Sequence, residues 1–193
     1  AAGHRTVPAG NVGLPLLDAV FGEYDVLAVE LSSFQLHWSS TLHPLSAAVL
    51  NVAPDHLDWH GSMDEYAAAK SRIWAGETSI ANADDEVART LLAGAPGRQV
   101  TFTLRTPRPG QLGLVEDLLV DRAFVDHPGE AAELASVSDL TVTGGHNVAN
   151  ALAAAALARS YGVRPEAVRA GLMVMIGRPE KRIDGSGPKR KVR

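Results

Sequence analysis

Acidic and imidazole side chains crowd one short stretch of the chain, directly after an apolar run at residues 47–53. That stretch holds Asp55, His56, Asp58 and His60. The run has the length of a strand buried on both faces of a parallel sheet, and ligands of open α/β sheets bind beyond the carboxyl ends of such strands. Carboxylates with an imidazole suit Mg²⁺ or Mn²⁺ better than zinc, and Mg²⁺ completes its coordination with water and phosphate oxygens. The stretch therefore indicates phosphate transfer or phosphate activation.

Lys70 lies among large apolar side chains on the helix that should follow this loop. Tyr66, Lys70, Ile73 and Trp74 recur at helical spacing and therefore share one face. A lysine on such a face either extends past its neighbours to water or is directed at a specific group. The rarity of buried lysines favours the first interpretation, and the acidic loop upstream favours the second.

Glu30 is a carboxylate near the end of a second apolar run, residues 25–31. If it is buried, it must be paired, hydrogen-bonded or bound to a metal ion, because an isolated buried charge is strongly unfavourable. In the alternative, the strand ends at Val29 and Glu30 is exposed. Ser32 and Ser33 follow at once and could serve as helix N-caps or as hydroxyl ligands.

Two other assignments use the same residue types but are less well supported. His37, His43 and His60 could form a His-rich hydrolase site, but their spacing matches no tight metal motif such as His-Glu-x-x-His. An ATP-using enzyme of this class should carry Gly-x-x-x-x-Gly-Lys-Ser/Thr, and the 193 residues contain no such motif. The segment at residues 144–147 is no substitute, because no lysine follows it.

Apolar strands alternate with helices along the chain, which predicts an α/β fold with a mostly parallel sheet flanked by helices. Residues 10–13 form a glycine-flanked turn, either a plain strand-to-helix connection or a close approach to a ligand. Residues 105–138 predict a hairpin or loop excursion with a helix at 130–134. Asn147 is expected to be an N-cap. The predicted strands are 5–9, 25–31, 47–53, 78–81, 99–104 and 140–143, and the predicted helices are 14–21, 34–38, 63–75, 86–93, 148–161 and 165–175.

The amino-acid composition is ordinary for a soluble globular protein. Hydrophobic residues make up 46% and charged residues 21%, and the net charge of −4 argues against nucleic-acid binding. The absence of cysteine excludes disulfides and thiolate metal sites. No run approaches the roughly 20 apolar residues of a membrane span, and the N-terminus lacks the pattern of a signal peptide. We therefore expect a cytoplasmic protein.

Several motifs occur in an order that resembles the Mur ligases. Residues 30–36 read Glu-Leu-Ser-Ser-Phe-Gln-Leu, a version that resembles the family member that adds D-glutamate to UDP-N-acetylmuramoyl-L-alanine. The resemblance implies an ATP-dependent amide ligase of peptidoglycan precursor synthesis that works through an acyl phosphate and is a monomer when full-length. The other matching segments are residues 10–13, 50–52, 55–58, 66–70 and 145–151.

The resemblance also implies roles for individual residues. Glu30 and His56 would hold Mg²⁺ ions between ATP and the reacting carboxylate, which needs the two strands that precede them to be neighbours in one sheet. Lys70 matches a lysine that reacts with CO₂ to form a carbamate beside the metal. These three residues are the catalytic and metal-site candidates. The remaining candidates are Asn11 and Ser32 for the nucleotide-sugar substrate and Asn147 and Asn150 for ATP, the last near adenine.

The resemblance predicts a domain organisation as well. Residues 1–176 match a central ligase domain that is incomplete at its N-terminus, where the phosphate loop is expected. Residues 177–193 are basic and rich in glycine and proline, which predicts a disordered tail. We expect this piece alone to be inactive. The alternative is a non-catalytic α/β module that retains only part of the substrate binding.

Overall fold

A computed structural model describes residues 2–140 and 144–175 of the chain. The helices are α1 (Leu16–Val20), α2 (Ser33–Trp38), α3 (Leu57–His60), α4 (Met63–Ser71), α5 (Glu86–Leu92), α6 (Gly145–Ser160) and α7 (Pro165–Met175). The strands are β1 (Thr6–Gly10), β2 (Val26–Glu30), β3 (Ser46–Val49), β4 (Thr78–Asn82), β5 (Arg98–Phe102), β6 (Gln111–Val115), β7 (Leu118–Asp121) and β8 (Ala132–Ser136).

The strands form two sheets. β1 and β2 pair in parallel as a two-stranded sheet, and the other six lie side by side in sequence order from β3 to β8. The pairs from β3 to β6 are parallel, whereas β7 runs antiparallel to both of its neighbours. The predicted α/β fold with a mostly parallel sheet flanked by helices is confirmed.

Helices cover both faces of the parallel part of the larger sheet. On one face, Tyr66 and Trp74 belong to a cluster with buried residues of β3, β4 and α5. On the other, apolar residues of α6 and α7 pack with Ile80, Phe102 and Leu134. The indole N–H of Trp74 donates to the carbonyl oxygens of Ala47 (3.2 Å) and Ile80 (3.1 Å), which fastens the end of the α4 segment to β3 and β4. Enclosure on both faces leaves the three central residues of β4 fully buried.

The strand predicted at residues 25–31 is present as β2, but the prediction that it is buried is wrong. Every residue of β2 is half-buried or exposed, and Glu30 is exposed while still paired with Gly10. The reason is that β2 pairs with β1 in a small separate sheet, so its apolar residues are not enclosed between helix layers within the described part of the chain. The alternative of an exposed Glu30 is therefore confirmed, although the strand does not end at Val29.

Residues 105–138 hold three strands, and the helix predicted at 130–134 is wrong. Residues 132–136 pair with β7 instead. The Ala-Glu-Leu-Ala sequence favours a helix locally, but Leu134 and Ala135 become fully buried by joining the sheet. Tertiary burial thus overrides the local propensity.

Other boundaries differ by smaller amounts. The strand predicted at 47–53 ends at Val49, and the loop after it contains the unpredicted helix α3. The helix predicted at 63–75 starts as expected, with Ser62 Oγ accepting from the Glu65 amide, but ends at Ser71. Asn147 is not an N-cap, because α6 begins earlier with Gly144 as its cap.

Most of the strand predicted at 140–143 and the tail at 177–193 lie outside the described residues. None of the described helices is long and apolar enough to span a membrane.

A buried ion pair joins the end of β7 to α6. Arg159 Nε donates to Asp121 Oδ2 at 2.8 Å, with the Asp121 side chain fully buried and that of Arg159 12% exposed. The other carboxylate oxygen accepts from the amides of Ala123 (2.7 Å) and Phe124 (2.9 Å). Arg159 also donates to the carbonyl oxygen of Val163 at 2.8 Å. The antiparallel half of the sheet is thereby tied to the helix that carries the ATP-site candidates.

Replacing Arg159 with methionine should destabilise the chain by about 3–5 kcal/mol, because the buried Asp121 carboxylate would lose its counter-charge. Urea denaturation at pH 7 measures this loss. Arg169→Met is the matched control, since Arg169 pairs with Asp139 at 3.0 Å in a half-exposed setting and its loss should stay below about 1 kcal/mol. Equal losses for the two variants would contradict the assignment.

Candidate active site

The turn after β1 brings the backbone of Asn11 against the end of β2. Asn11 N–H donates to the Glu30 carbonyl oxygen at 2.7 Å. Gly10 permits this approach, because its φ is +114° and a Cβ there would lie 2.1 Å from that oxygen. The exposed side chains of Asn11 and Glu30 therefore emerge from the same corner of the small sheet.

Ser32 caps α2 immediately beyond Glu30. Its Oγ accepts from the Gln35 amide (3.3 Å), and the Gln35 side-chain oxygen accepts from Ser32 N–H (2.8 Å), which is a reciprocal capping box. Of the two roles open to Ser32 from the sequence, the N-cap is confirmed. The first turn of α2 is thus held rigidly beside the carboxylate.

Asp55 and His56 form a local pair in the loop after β3. The His56 amide donates to Asp55 Oδ1 at 2.9 Å, and His56 Nε2 lies 3.4 Å from Asp55 Oδ2. His56 has a left-handed backbone (φ +52°), which is uncommon for a residue other than glycine. This conformation turns the chain into α3 and leaves both side chains about half exposed. Both are accessible to a ligand.

Lys70 points back toward the same loop. Its Nζ donates to the carbonyl oxygen of Asn51 at 2.9 Å and lies 4.9 Å from the centre of the Tyr66 ring. Tyr66 and Trp74 are buried and Lys70 is half-buried. Of the two interpretations that the sequence left open, the directed lysine fits this geometry, because the amine is fixed on a backbone oxygen between β3 and His56.

The prediction that Glu30 and His56 follow neighbouring strands of one sheet is wrong. β2 belongs to the small sheet and β3 is the first strand of the large one. Helix packing joins the two segments instead, since α2 packs on α4. The Phe34 ring lies 4.9 Å from the His56 ring and 4.7 Å from the Trp59 ring, centre to centre.

His60 is the residue that the sequence placed incorrectly. It was expected in the loop after the strand at 47–53, but it ends α3 and is only 8% exposed, with Nε2 2.9 Å from Ser33 Oγ. Burial lowers the pKa of His60, and the nearby His37 and His56 lower it further, whereas Glu65 acts in the opposite direction. The only sequence signal for this position was the four-residue spacing from His56, which fits one helical turn.

The ATP-site candidates Asn147 and Asn150 lie in the first turns of α6, three residues apart and hence on neighbouring positions of one face. Asn150 is exposed and Asn147 half-buried. α6 packs across β3, β4 and β5.

The candidate metal ligands are of the kinds that bind a hard cation, but the described residues do not form a preassembled metal site. Within residues 2–140 and 144–175, no group of three or more His, Asp or Glu side chains is close enough to hold a metal ion. Glu30 and His56 are both accessible. This arrangement suits Mg²⁺, which commonly takes one or two protein ligands and completes its shell with water and phosphate.

Comparison with known proteins agrees with this architecture. The family model described as the Mur ligase middle domain matches residues 5–158. Two solved structures share the fold: a UDP-N-acetylmuramoyl-L-alanyl-D-glutamate–2,6-diaminopimelate ligase (TM-score 0.58, 22% identity, 79% of this chain and 33% of that one) and a pseudomurein peptide ligase type C from Methanothermus fervidus (TM-score 0.55, 15% identity, 90% and 50%).

Curated relatives share much more of the sequence. Proteins named UDP-N-acetylmuramoylalanine–D-glutamate ligase from Thermobifida fusca (strain YX) and Streptomyces coelicolor are 59% and 58% identical over 181 residues. The matches cover 89% of this chain but only 39% and 38% of the relatives. All the candidate site residues lie inside the matched family region. Because that region spans most of the sequence, the chain belongs to the Mur ligase middle-domain family.

Proposed function

We propose that the chain is the middle domain of an ATP-dependent ligase that joins D-glutamate to UDP-N-acetylmuramoyl-L-alanine. The observation that carries the proposal is the 59% identity to a relative bearing that activity in its name. The relatives are more than twice as long as the matched region, so the complete reaction is attributed to the longer polypeptide. The accessible side chains of Glu30 and His56, with Lys70 held by the Asn51 carbonyl oxygen in the loop before His56, support the same assignment.

The proposed reaction has two steps. The alanyl carboxylate attacks the γ-phosphorus of ATP, which forms an acyl phosphate and releases ADP. The amine of D-glutamate then attacks the acyl carbon, phosphate leaves with the bonding electrons, and the amine loses a proton. Both steps build negative charge on phosphate oxygens, so positioned cations and hydrogen-bond donors accelerate them.

The residues at the helix junction have distinct proposed roles. Glu30 and His56 would hold Mg²⁺, which supplies positive charge to the transferring phosphate when bound. Lys70 would carry a carbamate on Nζ; the N–H that remains in a carbamate can still donate to the Asn51 carbonyl oxygen as the amine does here. Asn11 and Ser32, at the corner beside Glu30, would contact the nucleotide-sugar substrate.

The remaining roles concern ATP and the cellular setting. Asn147 and Asn150 at the start of α6 would contact ATP, the second near adenine. The substrates are cytoplasmic precursors in this proposal, so the longer polypeptide would act in the cytoplasm. Its resemblance to the Mur ligases implies that it would be a monomer. A domain extending over residues 1–176 completes the proposal, and the tail at 177–193 lies outside the described residues.

The 193-residue chain by itself should not turn over ATP. Its sequence holds no Gly-x-x-x-x-Gly-Lys-Ser/Thr motif, so the β- and γ-phosphates would lack their cradle of backbone amides and lysine. Phosphate release with ATP, Mg²⁺ and both substrates should equal the enzyme-free background. The full-length Thermobifida fusca relative is the positive control.

Substrate binding without turnover would leave the chain as a partial binding module, the alternative to a catalytic piece. Calorimetric titration with UDP-N-acetylmuramoyl-L-alanine shows whether the inactive chain still binds this substrate. Robust turnover by the chain alone would show that ATP phosphates are held by residues other than a phosphate loop.

Lys70→Ala in the full-length ligase should abolish ligation with a loss of stability of only about 0.5–1.5 kcal/mol, the usual contribution of one hydrogen bond. Lys70→Arg should also be inactive, because a guanidinium stays charged and cannot form a carbamate. Added formate or acetate should partly restore the alanine variant by occupying the place of the carbamate. Product formation measured by chromatography reports all three results.

Arg89→Ala is the matched control for these variants, since it removes an exposed cation from the last turn of α5 and should leave the rate unchanged. Near-normal ligation by Lys70→Arg would contradict the assignment and reduce Lys70 to a surface cation.

A further inference from the structure

The candidate active site is built from two segments that no strand pairing in the described part of the chain joins. Glu30 and Ser32 belong to the segment between β2 and α2, whereas His56 and Lys70 belong to the segment from β3 through α4. A reaction that uses both segments needs them at a fixed spacing, because a misplacement of about 1 Å can lower a rate about 100-fold. Contacts between the helices must therefore set that spacing.

His60 and Ser33 form a buried hydrogen bond across the two segments. His60 Nε2 lies 2.9 Å from Ser33 Oγ, and the two residues are 8% and 6% exposed. Ser33 is the first residue of α2, three positions after Glu30, and His60 is the last residue of α3, four positions after His56. Since water does not compete at this depth, the bond ties the two metal-site candidates through short stretches of backbone, an extended one from Glu30 to Ser33 and helix α3 from His56 to His60.

The His60 ring also contacts the surface on which Lys70 lies. The ring centre of His60 is 5.1 Å from that of Tyr66 and 5.6 Å from that of Phe34. Lys70 Nζ lies 4.9 Å from the Tyr66 ring. One imidazole therefore touches both segments: the start of α2 through Ser33 and Phe34, and the Lys70 face of α4 through Tyr66.

We propose that His60 is a positioning residue for ligation: its hydrogen bond to Ser33 and its packing on Tyr66 hold the Glu30–Ser32 segment and the His56–Lys70 segment at the spacing that the reaction needs. It acts through these neighbours and does not touch the substrate. The inference rests on the proposed ligase function and adds to it a residue outside the metal, ATP and substrate candidates.

Steady-state kinetics of the full-length ligase test the proposal with His60→Phe, Ser33→Ala and the double variant. His60→Phe keeps a ring in the aromatic cluster but removes the hydrogen bond, and should lower kcat at least about tenfold while changing the KM for ATP less than about twofold. Ser33→Ala should do the same. The kcat of the double variant should be no lower than that of the less active single variant, because both substitutions remove the same hydrogen bond.

His60→Gln supplies the rescue, since its amide nitrogen reaches about as far as the imidazole Nε2 and should restore kcat to within about threefold. His43→Phe is the matched control: it removes an exposed histidine whose Nδ1 contacts the Ala75 carbonyl oxygen at 2.9 Å, and kcat should not change. A purely structural His60 would give lower thermal stability with unchanged kcat per folded enzyme, and that result would overturn the proposal. Fully multiplicative effects of the two single variants would do so as well.

Amide hydrogen exchange separates this proposal from the ligase assignment. If the unsubstituted full-length protein does not ligate, the proposed function fails, and exchange alone decides the role of the bond. His60→Phe should then raise exchange in residues 32–37 and 57–70 more than His43→Phe does. Exchange rates in these segments that match those of the control would overturn the positioning role.

Discussion

The carboxyl ends of β2 and β3 belong to separate sheets, and helix packing is what brings them to one place. α2 lies on α4, and the aromatic side chains between them form the contact. Everything proposed for the active site depends on this junction, because Glu30 arrives from one sheet while His56 and Lys70 arrive from the other. A side-chain hydrogen bond and packed rings take the place of the backbone ladder that usually fixes neighbouring strand ends.

The structural core is buried, whereas the candidate site residues are accessible to solvent. β4 is enclosed between helix layers, and the buried Asp121–Arg159 pair secures α6 to the antiparallel strands. Glu30, Asp55 and His56, by contrast, remain accessible. The proposed site would hold a hydrated cation, and charged groups with that role are best kept near water, since full burial would require permanent partners. The rigid core and the solvated site therefore meet at the ends of short strands.

Lys70 shows how an exposed site can still be ordered. Its amine is held by the Asn51 carbonyl oxygen and lies over the buried Tyr66 ring, while Trp74 anchors the end of the same segment to β3 and β4. The lysine is thus fixed relative to the strand whose loop carries His56. The direction of the Lys70 side chain is therefore set by contacts with residues of the fold itself.

The sequence by itself determined the local structure and the chemical inventory of this protein. Apolar runs of strand length, the Ser62 cap and the helix at 165–175 follow from nearest neighbours, and the ordered motifs around Glu30, His56 and Lys70 identified the family. Tertiary structure decided how these parts meet. Residues 132–136 pair with β7 despite their helical propensity, because burial in the sheet outweighs it. β2 is partly exposed because it pairs only with β1. His60, expected in a loop, is buried and hydrogen-bonded to Ser33. Each outcome depends on contacts between residues far apart in the chain, which local patterns do not encode.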